Sequence, residues 1–356
     1  MKQSNGRKPW GIVLAAGEGT RARDFLRRLS GGRGIKQFCA VVGRRSMVEH
    51  TLARVERLIP RERILVVVSR NHQEEVSQQL AHWPVDNVIY QPANRDTAPG
   101  ILLPLAHISH RDPLATVTVF PSDHFVVEEE RFMDAVGEAV AEVQRFPRQL
   151  ILLGATPDQA EGDYGWIEST GQETGQKSRA VLRFIEKPSQ AYARELLARS
   201  ALWNTFVFAG QATTLWEMVR RTAPDLCFTF ERICRILSFS SSSAPLFTEH
   251  AYERLRAVNF SSGVCEPLVS WLRVLPIPEV GWSDWGTAER ILASLQRVGK
   301  LEECLVRLGY GLSHYGYDTQ HQISLLRSCS LDGTLAGNTI RRRWAHSSLQ
   351  PAPTKT

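Results

Sequence analysis

The most constraining stretch of the chain is WGIVLAAGEGTR, residues 10–21, where an apolar run leads directly into a glycine-rich turn. Residues 11–16 predict a buried β-strand, and Gly17 and Gly19 interrupt it. Glycine adds no side-chain bulk and tolerates positive φ, so such a turn lets backbone N–H groups approach a phosphate. Arg21 adds a permanent planar cation. Because short glycine motifs are weak evidence, the alternative is an ordinary turn with an exposed arginine.

Length and composition bound the class of protein. The 356 residues, 43% hydrophobic and 22% charged, are enough for one large domain or two smaller ones. No apolar run approaches the roughly 20 residues that span a bilayer, and the first ten residues lack a signal core. We therefore expect a cytoplasmic protein without a membrane partner. The net charge of +6 suits anionic ligands, although most of the arginines are typical of a solvated surface.

Two further classes are disfavoured by residue patterns. No basic stretch is interleaved with aromatic residues, so no nucleic-acid partner is expected. The six cysteines include no CxxC pair, which favours buried thiols over disulfides or a zinc site.

Strand and helix patterns alternate through the first half of the chain. Apolar strand patterns occupy residues 11–16, 64–68, 87–90, 116–120 and 150–153, and helical patterns occupy 46–58, 71–83, 97–109 and 131–146. Ser46 and Glu49 have the spacing of a capping box, and Pro104 predicts a kink. The basic, glycine-containing segment 22–34 is expected to be a mobile loop. This alternation predicts an α/β fold with a Rossmann-like, mostly parallel mixed sheet flanked by helices.

The second half has more strands and fewer helices. Strand patterns occupy residues 162–168, 180–186, 203–208 and 271–275, and helical patterns occupy 190–199, 212–222 and 287–297. The serine-rich segment 238–245 predicts a surface loop, and the polar tail from residue 345 predicts disorder.

Three polar motifs follow predicted strands: residues 17–21, 91–97 and 122–124. Ligands of open parallel sheets bind outside the carboxyl ends of the strands, so these motifs are expected to meet there. Asp123 follows a buried run and is suited to hold Mg²⁺ against triphosphate oxygens. The alternative is an aspartate that caps a helix or a turn.

The order of the motifs resembles that of the sugar-1-phosphate nucleotidyltransferases, most of all the mannose-1-phosphate guanylyltransferases. The matching segments, between residues 10 and 295, are LAAGEGTR, KQF, QPANRDTAPG, FPSDHF, YGWI, FIEKP, WNTFVF and GWSDWGT. The resemblance implies that a sugar 1-phosphate, such as mannose 1-phosphate, attacks the α-phosphorus of an NTP, such as GTP, and releases pyrophosphate. It also implies a nucleotidyltransferase domain over residues 1–298, with a nucleotide-binding half (8–153), a sugar-binding half (154–298) and a C-terminal extension (299–356).

The resemblance assigns roles to residues of this chain. It implies catalytic roles for Arg21, on the departing pyrophosphate, Lys36, on phosphate, and Lys187, on the acceptor phosphate. It implies Mg²⁺ ligation by Asp123 and Asp284. The nucleotide-binding residues it implies are Ala16, Gly17, Gly19, Thr20, Gln91, Asn94, Arg95 and Thr97. The sugar-binding residues it implies are Gly165, Glu186 and Asn204.

Several positions depart from the family pattern. Ile35 replaces the proline before the lysine, and Phe206 stands where the WNSG pattern has glycine. The segment around Gly263 lacks an acidic residue that relatives often carry. Two alternatives therefore stay open: an enzyme for another base and sugar, or a catalytically silent paralogue that binds a sugar nucleotide and regulates a partner. A homo-oligomer is also possible.

Overall fold

The computed structural model describes residues 8–32, 34–171, 175–239 and 243–309. These fall into two compact units, of which the first ends at Gly286 and the second begins at Thr287. The domain boundaries inferred from the sequence stay predictions, and the expected disorder from residue 345 lies outside the described residues. None of the described helices is long and apolar enough to cross a membrane.

Four neighbouring parallel strands form one end of the sheet. They are β1 (Trp10–Ala15), β2 (Ile64–Ser69), β3 (Val88–Gln91) and β4 (Thr116–Pro121). Their spatial order is β3-β2-β1-β4, with Gly11 of β1 opposite Ile64 on one side and Thr118 on the other. These strands are continuous apolar runs, as expected where a parallel sheet is covered on both faces.

The sheet continues with strands of mixed direction. They are β5 (Leu150–Ala155), β6 (Gly165–Ser169), β7 (Arg179–Glu186), β8 (Leu202–Gln211) and β9 (Leu272–Pro276). β8 lies between β4 and β5, antiparallel to both, and the order then runs β9, β7, β6. The predicted α/β fold with a mixed sheet is confirmed.

Helices cover both faces of the sheet in the first unit. They are α1 (Arg23–Ser30), α2 (Met47–Val55), α3 (Gln73–Gln79), α4 (Thr97–Arg111), α5 (Glu129–Arg145), α6 (Gln190–Ala198), α7 (Ala212–Thr222), α8 (Pro224–Phe239) and α9 (Ala244–Arg254). Successive residues of a strand point to opposite faces. Accordingly Ile12 belongs to an apolar core with α4 and α8, and Val13 to a second core with α2 and α5. The second unit contains α10 (Ala288–Arg297) and α11 (Leu301–Arg307).

Two predictions of loops were wrong. The basic segment after the glycine turn forms α1, because Leu26 and Leu29, three residues apart, are buried on one side of it and arginine favours helices. The predicted loop 238–245 was wrong at its two ends, because Ser238 lies in α8 and Ala244 begins α9, and residues 240–242 lie outside the described residues. The capping box at Ser46 and Glu49 is confirmed by both of its hydrogen bonds.

Candidate active site

The glycine turn after β1 is fixed by side chains from the segment that follows α1. Gly19 has φ of +55°, and a Cβ there would lie 2.6 Å from Cβ of Lys36, so the position requires glycine. Gln37 Nε2 donates hydrogen bonds to the carbonyl oxygens of Ala15, at 2.7 Å, and Gly17, at 2.9 Å. A Cβ at Gly17 would meet nothing within 4 Å. The turn is therefore closed against Lys36 on one side and open at Gly17.

Lys36 connects the two predicted metal ligands. Its side chain is only 6% exposed, and Nζ donates to Oδ2 of Asp123 at 2.8 Å. The same Nζ donates to the backbone carbonyl oxygen of Asp284 at 2.5 Å. Three residues that are far apart in the sequence therefore meet at one ammonium group.

Short backbone bridges fix the two aspartates. Ser122 N–H donates to the Leu14 carbonyl, which ties the end of β4 to β1. Phe125 and Ser283 form an antiparallel bridge with hydrogen bonds of 2.8 and 3.0 Å. Asp284 Oδ1 then accepts hydrogen bonds from the Tyr164 hydroxyl and from Gly286 N–H, both at 2.9 Å.

The charges around Asp123 favour its ionised form. Burial raises the pKa of Asp123, but the charge of Lys36, the neighbouring His124 and the hydrogen bond from Lys36 together hold the pKa below its usual value. Burial lowers the pKa of the neighbouring His124 to about 4. The Trp282 indole N–H, which can only donate, lies 3.3 Å from His124 Nδ1, so the neutral ring carries its proton on Nε2.

Arg21 is held by an acidic partner across the site. Its Nη1 lies 2.6 Å from Oδ2 of Asp163, and about half of each side chain is exposed. Asp163 directly precedes Tyr164, the residue that holds Asp284. Ala16 is half-buried and packs on the apolar core, and Thr20 is exposed.

The side chains of QPANRDT mostly bond within the protein. Thr97 Oγ1 accepts from Phe260 N–H at 2.8 Å, and Arg95 Nε donates to the Tyr252 carbonyl at 3.0 Å. Buried Gln91 donates to the Ala93 carbonyl. The side chain of Asn94, which is exposed, accepts from Asp96 N–H. These contacts fix the backbone of the segment.

Three predicted sugar-binding residues are brought together. Gly165 is paired in register with Glu186 across β6 and β7. A Cβ at Gly165 would lie 2.8 Å from Glu186 Oε2 and 3.5 Å from Asn204 Nδ2. Because Phe206 N–H donates to Asn204 Oδ1, the amide NH₂ faces this glycine. A carboxylate acceptor and an amide donor therefore lie side by side over a bare backbone.

Lys187 adds a cation beside this pair. Its side chain is 59% exposed, and Nζ lies 3.9 Å from Glu186 Oε1. Burial raises the pKa of Glu186, and the charges of Glu266 and Asp96 add to the rise, although Lys187 and a hydrogen bond from Ser261 oppose it. Glu266 also accepts a hydrogen bond from Glu186 N–H at 2.9 Å.

Several residues of the site were missed by the sequence analysis. They are Gln37, Asp163, Asp96 and Glu266, together with the hydroxyl of Tyr164, whose partners lie far away in the sequence. The sequence offered one indication of two of these residues. Tyr164 directly precedes the predicted Gly165, and Glu266 lies three residues after Gly263, in the segment that departs from the family pattern.

Comparison with known proteins identifies the family. The sequence profile described as "Nucleotidyl transferase" matches residues 10–299. This chain belongs to the nucleotidyl transferase family. The resemblance inferred from the motifs is therefore confirmed at that level.

Individual relatives are moderately similar. A mannose-1-phosphate guanylyltransferase of Salmonella muenchen is 31% identical over 222 residues, which cover 60% of this chain and 45% of that protein. Mannose-1-phosphate guanylyltransferase 2 of Escherichia coli O157:H7 is 28% identical over 78% of this chain and 58% of that protein. The xanthan biosynthesis protein XanB of Xanthomonas campestris pv. campestris (strain B100) is 34% identical over 60% of this chain and 44% of its own length. The chain thus spans about half the length of the curated relatives it matches.

Solved structures share the fold. A Thermus thermophilus protein described as a mannose-1-phosphate geranyltransferase superposes with a TM-score of 0.68 at 28% identity, over 81% of this chain and 79% of that one. A Helicobacter pylori protein described as a mannose-6-phosphate isomerase superposes with a TM-score of 0.59 at 20% identity, over 78% of this chain and all of that one. At 20% identity, the second likeness concerns the fold alone.

Proposed function

We propose that the chain is a sugar-1-phosphate nucleotidyltransferase that transfers a guanylyl group from GTP to mannose 1-phosphate, giving GDP-mannose and pyrophosphate. The observation that carries this proposal is the junction at Lys36, where Nζ contacts both Asp123 and Asp284 beneath the glycine turn. The similarity to proteins named mannose-1-phosphate guanylyltransferase supports the choice of substrates. Two anionic reactants must meet, so positioning and charge neutralisation are the main work of such a site.

The nucleotide would lie along the carboxyl ends of β1, β3 and β4. Backbone N–H groups of Gly17, Gly19 and Thr20 would hold the phosphates, with Ala16 at the start of the turn. The open space at Gly17 supports this, because a phosphate can approach the backbone there. The segment with Gln91, Asn94, Arg95 and Thr97 would hold the base and ribose. Its internal hydrogen bonds support a preformed surface.

Arg21 would exchange its present partner for the pyrophosphate that leaves. Its half-exposed pair with Asp163 supports such an exchange, because exposed ion pairs are worth only about 0–1 kcal/mol. No covalent intermediate is required, since the sugar phosphate oxygen attacks phosphorus directly.

The residues present fit a Mg²⁺ ion. Mg²⁺ commonly binds one or two carboxylates together with substrate phosphates. Within the described ranges, no group of three or more metal-binding side chains occurs. Asp123 and Asp284 would hold the ion together with the triphosphate. Oδ2 of Asp123 accepts from Lys36, and His124 Nε2 lies 3.9 Å from Oδ1, so Oδ1 would be the oxygen that meets the ion. When bound, the ion would offset the negative charge of the phosphates.

The acceptor would bind over Gly165. Glu186 can accept a hydrogen bond from one sugar hydroxyl, and Asn204 can donate to its neighbour. Lys187 can neutralise the phosphate of the sugar as a compact point charge. The shared location of these groups supports a subsite for a vicinal diol that carries a phosphate.

The test is a grid of nucleoside triphosphates against sugar 1-phosphates, with Mg²⁺, scored by pyrophosphate release. GTP with mannose 1-phosphate should give the highest kcat/KM, and Asp123→Asn should abolish the release. A higher kcat/KM for another pair would contradict the substrate assignment and favour a sister enzyme. Binding of a GDP-sugar without turnover of any pair would contradict the enzyme itself and favour a silent paralogue. The cytoplasmic location and the homo-oligomer stay predictions.

A further inference from the structure

A cavity lies between the end of α7, the start of α8, α9 and the segment 255–258, and none of the predicted site residues lines it. Its volume is about 690 Å³, within the range of roughly 300–1,000 Å³ that is usual for small-molecule sites. Its lining combines aromatic rings with several cations.

The charge of the lining is strongly positive. Arg232, Arg254 and Arg256 line the cavity together with His250, and Asp225 is the one carboxylate among the lining residues. Among the residues that the structure describes, none of the three arginines forms an ion pair. By contrast, Arg220 and Arg221 of the adjoining helix both pair with Glu217. Guanidinium groups that line one cavity and outnumber its carboxylates favour an anion there.

Two phenylalanine rings of the lining lie next to one of the arginines. The guanidinium of Arg232 lies 4.9 Å from the ring centroid of Phe247 and 5.9 Å from that of Phe228. Phe228 is 56% exposed, so a ligand in the cavity can reach its ring. A ring that stacked on Phe228 would be covered on one side while its phosphates reached the arginines.

The wall of this cavity is hydrogen-bonded to the segment proposed to bind the base and ribose. Val258 lines the cavity, and its N–H donates to the Arg95 carbonyl at 3.1 Å. The Val258 carbonyl accepts from Ala98 N–H at 3.0 Å. A ligand in the cavity would therefore contact the same short segment that fixes QPANRDT.

We propose that this cavity is a second binding site, separate from the candidate active site, for a nucleoside phosphate. The phosphates contact Arg232, Arg254 and Arg256, and the base stacks on Phe228. The evidence for this site is the residues that line the cavity, so the proposal does not depend on catalysis at the candidate active site.

The test is isothermal titration of the full chain with GTP and with ATP, and with tripolyphosphate as the probe that lacks a ring. The cavity variant is the triple substitution Arg232→Gln, Arg254→Gln and Arg256→Gln. The control is Arg44→Gln, Arg194→Gln and Arg235→Gln, three arginines outside the cavity lining, which removes the same charge. At least one of the two nucleotides should bind with one molecule per chain fewer in the cavity variant than in the wild type and the control. Circular dichroism checks that each variant is folded.

A single variant keeps the test independent of the triple one. Arg254→Glu at an exposed position should weaken the second binding event about tenfold or more, because it replaces an attractive charge by a repulsive one. Equal stoichiometry and affinity in wild-type and variant chains would overturn the proposal. Equally tight binding of tripolyphosphate would overturn the stacking role of Phe228. If the active site binds no nucleotide, the loss of the one remaining event in the cavity variant still supports the second site.

Discussion

A methyl group added at Gly19 should destabilise the protein, whereas the same change at Gly17 should not. Gly19 has φ of +55°, and its new Cβ would lie 2.6 Å from Cβ of Lys36. Alanine in the left-handed region costs about 1–2 kcal/mol, and the overlap adds about 1–3 kcal/mol. Alanine also restricts the unfolded chain, which raises the free energy of unfolding by about 0.4–1 kcal/mol. The expected net loss for Gly19→Ala is therefore about 1–5 kcal/mol.

Gly17→Ala is the matched control, two residues away in the same turn. It has no positive φ, and its Cβ would meet nothing within 4 Å, so its unfolding free energy should stay level or rise by up to about 1 kcal/mol. Urea denaturation of both variants, analysed with a common m-value, measures the difference. If the two variants unfold within about 0.5 kcal/mol of each other, the turn is not closed at Gly19 and open at Gly17 as described.

Three further changes test other parts of the molecule. Asp123→Asn and Asp284→Asn should each lower kcat about a hundredfold or more, because a bound Mg²⁺ would supply several kcal/mol, and circular dichroism checks that each variant is folded; normal pyrophosphate release would remove the residue from the metal site. Burial lowers the pKa of His107 to about 4. Between pH 6.5 and 4 this histidine is therefore protonated in the unfolded chain and neutral in the folded chain. Stability should therefore fall as pH drops from 6.5 towards 4, by up to about 3 kcal/mol, and His107→Gln should flatten this slope in denaturant titrations at several pH values. Phe206→Gly should relieve a φ of +58° but lose the ring contacts with Phe208 and Phe260, so thermal unfolding should move to lower temperature; an unchanged midpoint would mean that the ring adds no net stability.

The elements that the sequence predicted best are those whose pattern is local. The strand patterns at 64–68 and 116–120 correspond to β2 and β4, because a strand buried on both faces is a continuous apolar run. The start of α2 follows from the capping box at Ser46, which needs only four consecutive residues. Such elements can be predicted from a few consecutive residues without knowledge of the rest of the fold.

The helices α1, α8, α9 and α11 were not predicted, and α1 and α8 show why. Arginines and glycines in the segment 22–34 concealed the apolar pair that α1 buries. The helix α8 was not predicted, although Leu226, Phe230 and Ile233 have helical spacing and Pro224 stands at its first position. The serines near residue 240 predicted a loop, but Ser238 lies in α8 and Ala244 begins α9.

The geometry of the site could be predicted only through resemblance. Lys36 lies 87 residues from Asp123 and 248 residues from Asp284, and no local pattern reports that their atoms meet. Arg21 and Asp163 are also far apart in the sequence, as are Glu266 and Glu186. Their contacts depend on how distant strands are ordered in the sheet. The sequence therefore named the expected site residues but not what holds them in place.

Backbone strain gives an independent reason to locate function here. Among the described residues, the non-glycine residues with positive φ are Asp96, Lys187, Ser200, Phe206 and Trp285. All but Ser200 lie within or next to the candidate site: Asp96 beside Glu186, Phe206 on the amide of Asn204, and Trp285 after Asp284. Each such residue costs on the order of 1–3 kcal/mol and persists only where the surroundings hold it. Glycine at these positions would remove the strain, so its presence around the Lys36 junction supports the proposed binding role of this backbone.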